Sequence, residues 1–404
     1  MMASLAERLR IGPEHRAVAR FYITLYMVPA VVATYLPIWL ENRGLSDSQI
    51  GYFTALPMLA MLLTAVFFGR LADRARDWKR AIVLGHGLAF AATVPLFFAA
   101  GWSLWPLLAL WMLTTVPAGL VGPVGDAASI RLSRRKGFSF GVVRGLGTVG
   151  FLSICLVTGW AASRWGDDAF LWLLLVAGAL RFLHSARLPR MREAGAERPT
   201  GKGGLLSAEL IGQLKLWILL PLIGGAVIFA THMVMNAYSA LVWKQQGIPE
   251  ETIGALVALG AGAEAVTMLA WAGLEKRFSA RTLILLAALT SVLRWAVMAF
   301  APPVWVLVPL QLLQSITFTG SLLGCLYFIA NRTDERVAAE AQSLFGVMQQ
   351  GGSVMIVAGF GLLYQAFGAS AFLGSALACA LVVPMVLASF RLQRSEDSPA
   401  AAPG

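Results

Sequence analysis

The sequence predicts an all-α membrane protein of twelve transmembrane helices arranged as two six-helix repeats, and three observations predict it. Hydrophobic residues make up 58% of the chain and charged residues 13%, about half the charged share of an average soluble domain; mean hydropathy is +0.72. The apolar runs are each close to the roughly 20 residues that carry an α-helix across about 30 Å of hydrocarbon. Basic residues collect in every second connection between those runs. The short alternating segments that a β-barrel requires are absent.

The runs fall at about 18–40, 50–69, 81–100, 104–125, 138–160 and 168–187, then 214–243, 253–273, 282–300, 304–328, 338–366 and 370–390. One set of connections holds Arg8, Arg10, Arg16 and Arg20, then Arg70, Arg74, Arg76, Lys79 and Arg80, then Arg131, Arg134, Arg135 and Lys136. It continues with Arg181, Arg187, Arg190, Arg192, Arg198, Lys202 and Lys215, then Lys276, Arg277 and Arg281, then Arg332 and Arg336, and finally Arg391 and Arg394. These are 27 of the 32 bases, against Arg43, Arg164 and Lys244 on the other side. The positive-inside rule makes the rich side, with both termini, cytoplasmic. The net charge of +11 is therefore a topology signal with membrane-surface contacts and not a nucleic-acid footprint. Residues 1–20 are polar and basic without the apolar core of a cleavable signal. Cys155, Cys325 and Cys379 all fall within spans, where they act as small hydrophobes, and no disulfide is expected.

The connection from Pro189 to Leu210 is the most polar and glycine-rich and reads as a flexible linker. The predicted organisation is a six-helix half over 1–188, a cytoplasmic linker over 189–212, a second half over 213–392 and a tail over 393–404. Gly44, Ile50 and Gly51 match Gly247, Ile253 and Gly254 at an offset of 203, and Phe140, Gly141 and Val142 match Phe345, Gly346 and Val347 at 205. Ser46 with Gln49 forms a capping-box pattern before the second span. Two copies with a site between them at mid-membrane is the plan of a secondary transporter.

Four ionisable residues fall inside or at the edge of spans: Asp126, Arg144, Glu264 and Arg294. Arg144 in Phe138-Ser-Phe-Gly-Val-Val-Arg-Gly-Leu-Gly-Thr-Val-Gly-Phe151 costs at least about 2.5–3.5 kcal/mol at the bilayer centre unless it faces a wet cavity and an acid. The alternative is an arginine that snorkels to the headgroups. Gly141, Gly145, Gly147 and Gly150 favour the first reading, because small residues admit a neighbouring helix. Glu264 sits in mid-span, either as a helix-bracing ion-pair partner or as a carboxyl that takes up a proton; burial favours its neutral form and a nearby arginine its charged form. Asp126 closes the fourth run, where a helix-end role competes with a cavity role. His232 beside Asn236 in the seventh run either touches substrate or is a hydrogen-bonded packing residue. His86 is the weaker candidate of the same kind. Gln349 stands over Arg144 in the repeat frame. Trp39, Trp102, Trp105, Trp165 and Trp243 are placed in an interfacial aromatic belt.

The loop Gly69-Arg-Leu-Ala-Asp73-Arg74 resembles the Gly-x-x-x-Asp-Arg signature of the major facilitator superfamily. That resemblance implies the twelve-helix major facilitator fold and gives Gly69, Asp73 and Arg74 a conformational role at the cytoplasmic helix ends, with Glu275-Lys276-Arg277 as a worn second copy. Asp126 followed by Arg144 in Phe-Gly-Val-Val-Arg-Gly-Leu-Gly resembles the lactose-permease-like branch. The resemblance implies that Asp126 and Arg144 bind substrate, that Glu264 couples a proton, and that Phe151 holds the place of a stacking aromatic. Arg294-Trp295 and Gln311-Leu-Leu-Gln314-Ser-Ile-Thr317-Phe318 are similar to the phenylpropionate-permease relatives, with Gln314 where a histidine is usual and Thr317 where lactose permease has a second proton-carrying glutamate.

The expected function is proton-coupled symport of a small organic solute by alternating access, with an aromatic or other organic carboxylate as substrate, or else a sugar or nucleoside. Substrate contact is assigned to Arg144, Asp126, Phe151, His232, Asn236, Gln314 and Gln349, and proton coupling to Glu264, Asp126 and Arg294. A drug–proton antiporter ranks lower, because its span-1 cavity acid and Gly-Pro-rich fifth span are missing. A membrane scaffold or sensor lacks a soluble domain of sufficient length. An enzyme is excluded for want of a metal cluster, nucleophile elbow or phosphate loop. The expectation is a monomer in the cytoplasmic (inner) membrane, with substrate, proton and lipid as partners and without nucleic acid, cofactor or metal.

Overall fold

The computed structural model describes residues 12–75, 77–99, 101–192, 208–333 and 338–397, with the side chains of 66, 69–74, 134, 208, 269–276, 338–339 and 395–397 outside the description. Every regular element among the described residues is helical. Eleven helical segments are long and apolar enough to cross a membrane. The last of them, Glu340–Arg394, has 55 residues and contains two helices joined by a tight turn, so the described residues make twelve crossings. Large apolar side chains such as Leu63, Phe98, Phe300, Trp305 and Met355 are exposed, as suits helices that face lipid rather than water.

The first crossing is two helices, α1 (Pro13–Leu25) and α2 (Met27–Glu41), broken at Tyr26. The break follows from Pro29, which has no N–H to bond the Leu25 carbonyl and whose ring crowds that carbonyl. It is followed by α3 (Asp47–Arg74), α4 (Trp78–Thr93), α5 (Leu104–Lys136), α6 (Phe140–Trp165) and α7 (Asp167–Ala186). After a short α8 (Ala208–Gln213) come α9 (Leu216–Gln245), α10 (Glu250–Arg277) and α11 (Ala280–Met298). The tenth crossing is composite: α12 (Val304–Leu312), a π-helical stretch over Ser315–Gly320, and α13 (Ser321–Arg332). The chain closes with α14 (Ala338–Phe367) and α15 (Phe372–Asp397).

The repeat seen in the sequence is repeated in backbone detail. Gly44 and Gly247 both have φ of 79°, a left-handed conformation that glycine adopts without steric cost. Each donates to the carbonyl three residues back (2.8 Å to Glu41, 2.9 Å to Lys244), and the next residue donates to the carbonyl five back (Leu45 to Leu40, Ile248 to Trp243). The capping box closes on the first copy: Ser46 N–H donates to Gln49 Oε1 at 2.9 Å and Gln49 N–H to Ser46 Oγ at 3.4 Å.

The contacts divide the chain into two compact units, one of 1–201 with 243–258, the other of 202–242 with 259–404. In the first, α6 lies directly on the broken crossing: a Cβ on Gly150 would stand 2.4 Å from the Ile23 carbonyl oxygen, and one on Gly147 2.5 Å from the Tyr26 ring. Gly159 and Gly254 meet backbone to backbone in the same way, and Ser163 donates to Glu251 at 2.7 Å. In the second unit the core runs through Tyr238, Trp295, Phe345, Phe360 and Phe372, with Trp295 stacked on Phe372 at 5.9 Å.

Four expectations change. Trp39 and Trp243 are fully buried, Trp39 against Phe170 and beneath the Arg43 guanidinium, whereas Trp102, Trp105 and Trp165 are exposed as a belt requires. An indole at a helix end belongs to the belt only if it points outward, which window-averaged hydropathy does not report. Gly145 has open space where a Cβ would go and a Cβ on Gly141 would make only an ordinary contact, 3.8 Å from Ser139 Oγ, so of these four glycines only Gly147 and Gly150 serve close approach. The start of the linker is packed: Leu188 and Met191 are buried, and the Asp77 carboxylate accepts from the backbone N–H groups of Met191 and Arg192. Residues 193–207 of that linker lie outside the described residues. Arg181, counted with the cytoplasmic bases, is a buried residue well inside α7.

The glycine geometry makes an expected contrast. Gly150→Val forces the α1–α6 contact apart and should lower stability by about 1–3 kcal/mol, while Gly145→Ala should be neutral or slightly stabilising, by at most about 1 kcal/mol. Thermal unfolding of the two purified variants in detergent checks both.

Candidate functional site

The first polar cluster grows from the break in the first crossing. Tyr22, Tyr26 and Pro29 follow a helical 0, 4, 7 spacing, so the broken turn presents both tyrosines on one side. Tyr22 Oη donates to Asp126 Oδ1 at 2.6 Å, and Arg144 Nη1 donates to Asp126 Oδ2 at 2.9 Å. The Arg144 guanidinium carbon lies 5.8 Å from the centre of the Tyr26 ring. That ring has its place because Gly147 has no side chain to occupy it. Asp126 therefore has both oxygens engaged, one by a neutral donor and one by a cation. Its side chain keeps 36% of its exposure and that of Arg144 47%, so the pair is not sealed in the protein interior, and where water reaches it the direct attraction is on the order of 1 kcal/mol. Asp126 is not a helix-end residue: α5 continues ten residues further, to Lys136.

Asp126 opens onto a recess of about 350 Å³ in the first unit, lined by Leu25, Tyr26, Val28, Pro29, Val32, Met61, Thr114, Thr115, Ala118, Gly119, Gly122, Asp126 and Arg181. Most of this lining is apolar. The Thr114 and Thr115 hydroxyls both donate to the Trp111 carbonyl, at 2.7 and 2.9 Å, so neither has a proton to offer to a ligand while it stays in that geometry.

The second cluster, in the second unit, is a lattice around Arg294, which is 0% exposed. Its Nη2 donates to Gln311 Oε1 and Gln314 Oε1, both at 2.8 Å, and its Nη1 to Thr317 Oγ1 at 3.2 Å. Gln314 Nε2 in turn donates to Glu264 Oε1 at 2.5 Å. The carboxamide thus turns its oxygen to the cation and its nitrogen to the acid, so Arg294 and Glu264 are joined through Gln314 rather than directly. The π-helical stretch begins just after Gln314; such stretches are frequent at functional sites. Gly260 leaves room for the bridge, since a Cβ there would meet Gln314 Oε1 at 2.8 Å. His232 is buried, packs its ring at a tilt of 30° against Phe318 with ring centres 4.3 Å apart, and brings Nε2 within 3.7 Å of Glu264 Oε1.

The structure thus brings together Asp126 with Arg144, and Glu264 with Gln314, Arg294 and His232. Phe151 is half-buried against the cluster of Ala30, Cys155 and Ala258 and does not line the recess. Asn236 is exposed and donates through Nδ2 to Met233 Sδ at 3.8 Å. Gln349 is buried with its Nε2 unpartnered. His86 bonds Ser185 Oγ at 2.7 Å through Nδ1, the packing role. The side chains of Gly69, Asp73, Arg74, Glu275 and Lys276 lie outside the described residues. Sequence reasoning missed Tyr22, Tyr26, Gln311 and Arg181. The tyrosines were signalled by their spacing to Pro29, and Arg181 by lying six residues short of the end of its own run.

Twelve crossings in two repeats, with charged clusters kept inside the helices, is a plan that many secondary transporters share. The chain belongs to the family described as MFS_1 like, whose model matches residues 15–373, and so to the major facilitator superfamily; it is a membrane transporter and not an enzyme. It is similar to a probable 3-phenylpropionic acid transporter of Escherichia coli (strain K12), with 27% identity over 362 residues covering 88% of this chain and 93% of the relative. It is as similar to a maltose permease of Geobacillus stearothermophilus, with 27% identity over 338 residues covering 82% of each. Among solved structures, a mutant form of the nucleoside transporter NupG superposes with a TM-score of 0.80 over 93% of this chain and 99% of that one, at 14% identity, a likeness of fold alone.

The bridge makes a stability prediction. Gln314→Leu leaves the Arg294 cation with two acceptors and Glu264 without its donor, an expected loss of about 2–3 kcal/mol. Gln314→His should lose less than half as much, because its ring can still contact one partner. Gly260→Ala, which only nudges the flexible end of the bridge, should fall between wild type and Gln314→Leu in thermal unfolding.

Proposed function

We propose that the protein is a proton-coupled symporter of a small organic carboxylate, working by alternating access in the cytoplasmic membrane with both termini inside. The observation that carries this reading is the Asp126–Arg144–Tyr22 cluster, whose Asp126 lines a mostly apolar recess. An apolar wall with a few fixed charges suits an anion with an apolar body, and the 3-phenylpropionic acid relative has a substrate of that chemistry in its name. Arg144 orients the anion through its planar fork, Asp126 holds Arg144, and Glu264 carries the proton. Two groups fit Glu264 for that work: the amide that bridges it to Arg294 and the imidazole of His232.

The second reading is symport of a sugar or nucleoside, favoured by the maltose permease relative at equal identity. A sugar wants many hydrogen-bonding groups around its ring, and the recess offers few, so the carboxylate ranks first.

Uptake into proteoliposomes, from a panel of carboxylates, sugars and nucleosides with and without an inward proton gradient, tests the reading. The expected result is accumulation of an aromatic carboxylate only with the gradient. Glu264→Gln should abolish gradient-driven accumulation while sparing downhill flux, and Arg144→Lys should cut uptake by about tenfold or more, one lost bidentate contact. Accumulation by Glu264→Gln at the wild-type level refutes the proton role; uptake of sugars alone refutes the carboxylate.

A further inference from the structure

Arg144, Arg181 and Arg294 lie within the crossings and are answered differently. Arg144 has the Asp126 carboxylate at 2.9 Å. Arg294 has three neutral oxygens. Arg181 has neither. It is 6% exposed, its Nε is buried without a hydrogen-bond partner, as is that of Arg294, and its guanidinium makes neither the side-chain hydrogen bonds that Arg294 has nor an ion pair among the described residues. It lines the same recess as Asp126, Tyr26, Met61 and Thr114. A buried guanidinium without a counter-charge is costly, and the chain keeps one facing a cavity.

The charge at the recess follows directly. Asp126 cancels Arg144, and Arg181 leaves one uncompensated positive charge. The threonine hydroxyls that line the recess are committed to Trp111, and neither could neutralise a cation in any case. One monovalent anion restores neutrality, and the aliphatic and thioether lining takes an apolar body behind it.

We propose that Arg181 is the specificity-determining residue of the recess: the substrate's carboxylate takes its counter-charge from this guanidinium, while Arg144, already neutralised by Asp126, orients the anion and adds no net charge. This rests on the carboxylate reading above and names the group that selects the anion. Arg181 is not needed to hold Arg144 in place, since the two share no contact among the described residues, and its loss should change which ligand binds rather than whether the protein folds.

The test compares 3-phenylpropionate with its neutral isostere 3-phenylpropionamide, by direct binding to the purified full-length protein in detergent and by uptake into proteoliposomes. Wild type should bind the carboxylate at least about tenfold more tightly than the amide. Arg181→Gln should weaken carboxylate binding by roughly 30-fold or more, leave amide binding within about twofold, and so erase the preference. Arg181→Lys, which keeps the charge, should recover part of it, and the amide binding reports that each variant is folded. If wild type prefers the carboxylate and Arg181→Gln keeps that preference, Arg181 is not the selector and the proposal falls while the carboxylate reading stands. If wild type takes up neither this nor any other carboxylate, the reading itself fails and the proposal falls with it.

Discussion

A permanent positive charge inside a helical bundle has to be answered, and how each arginine is answered sets the chemistry of this protein. Guanidinium does not lose its proton under ordinary conditions, so relief comes from a carboxylate, from a shell of oxygens or from a ligand. Arg144 takes the first route, through Asp126 at 2.9 Å. Arg294 takes the second, through Gln311, Gln314 and Thr317. Arg181 is left for the third. The surrounding helices carry the irregularities needed to bring those partners into reach.

Those irregularities have local causes. Pro29 breaks the first crossing at Tyr26, and the broken turn delivers Tyr22 to Asp126. Gly147 gives up its side chain so that the Tyr26 ring can lie against α6, within cation–π reach of Arg144. In the other unit, Gly260 vacates the space that the Gln314 carboxamide fills, and the helix changes its winding in the next residue. In each case a residue with a missing group, the N–H of proline or the Cβ of glycine, makes room for a polar one. Burial of polar groups among helices is tolerated when every partner is placed, and placement here is done by backbone.

The twelve crossings and the repeat were legible because they depend on averages and on exact identities. Twenty apolar residues mean a crossing whatever their order, and Gly44 and Gly247 at the same offset adopt the same φ. Asp126, Arg144 and Glu264 stood out because a charge in an apolar run is rare. What was not legible is direction. Trp39 and Trp102 read alike at helix ends, yet one is buried and the other exposed. In the sequence Asp126 reads as the last residue of its span, because the basic run after it masks a helix that continues to Lys136. Arg181 was lost in the same way: close to a basic connection, it was counted with it, although α7 runs past it to Ala186. Hydropathy windows blur the last turns of a crossing, where these residues sit.

The glutamine at 314 bears on how a proton would travel in the proposed symport. A histidine there can accept a proton from one neighbour and pass it to another, whereas a carboxamide has no titratable site and keeps its orientation only while a cation faces its oxygen and an acceptor its nitrogen. Protonation of Glu264 takes away the charge that its Nε2–H addresses and leaves the Arg294 end as the only strong hold on the amide. The bridge is then free at one end, and the link between the two buried charges weakens without any proton leaving the carboxyl. In the proposed symport Glu264 would be both the entry and the exit for the proton, Gln314 would read its charge mechanically, and Arg294, fixed by Gln311 and Thr317, would be the stationary post against which that reading is made.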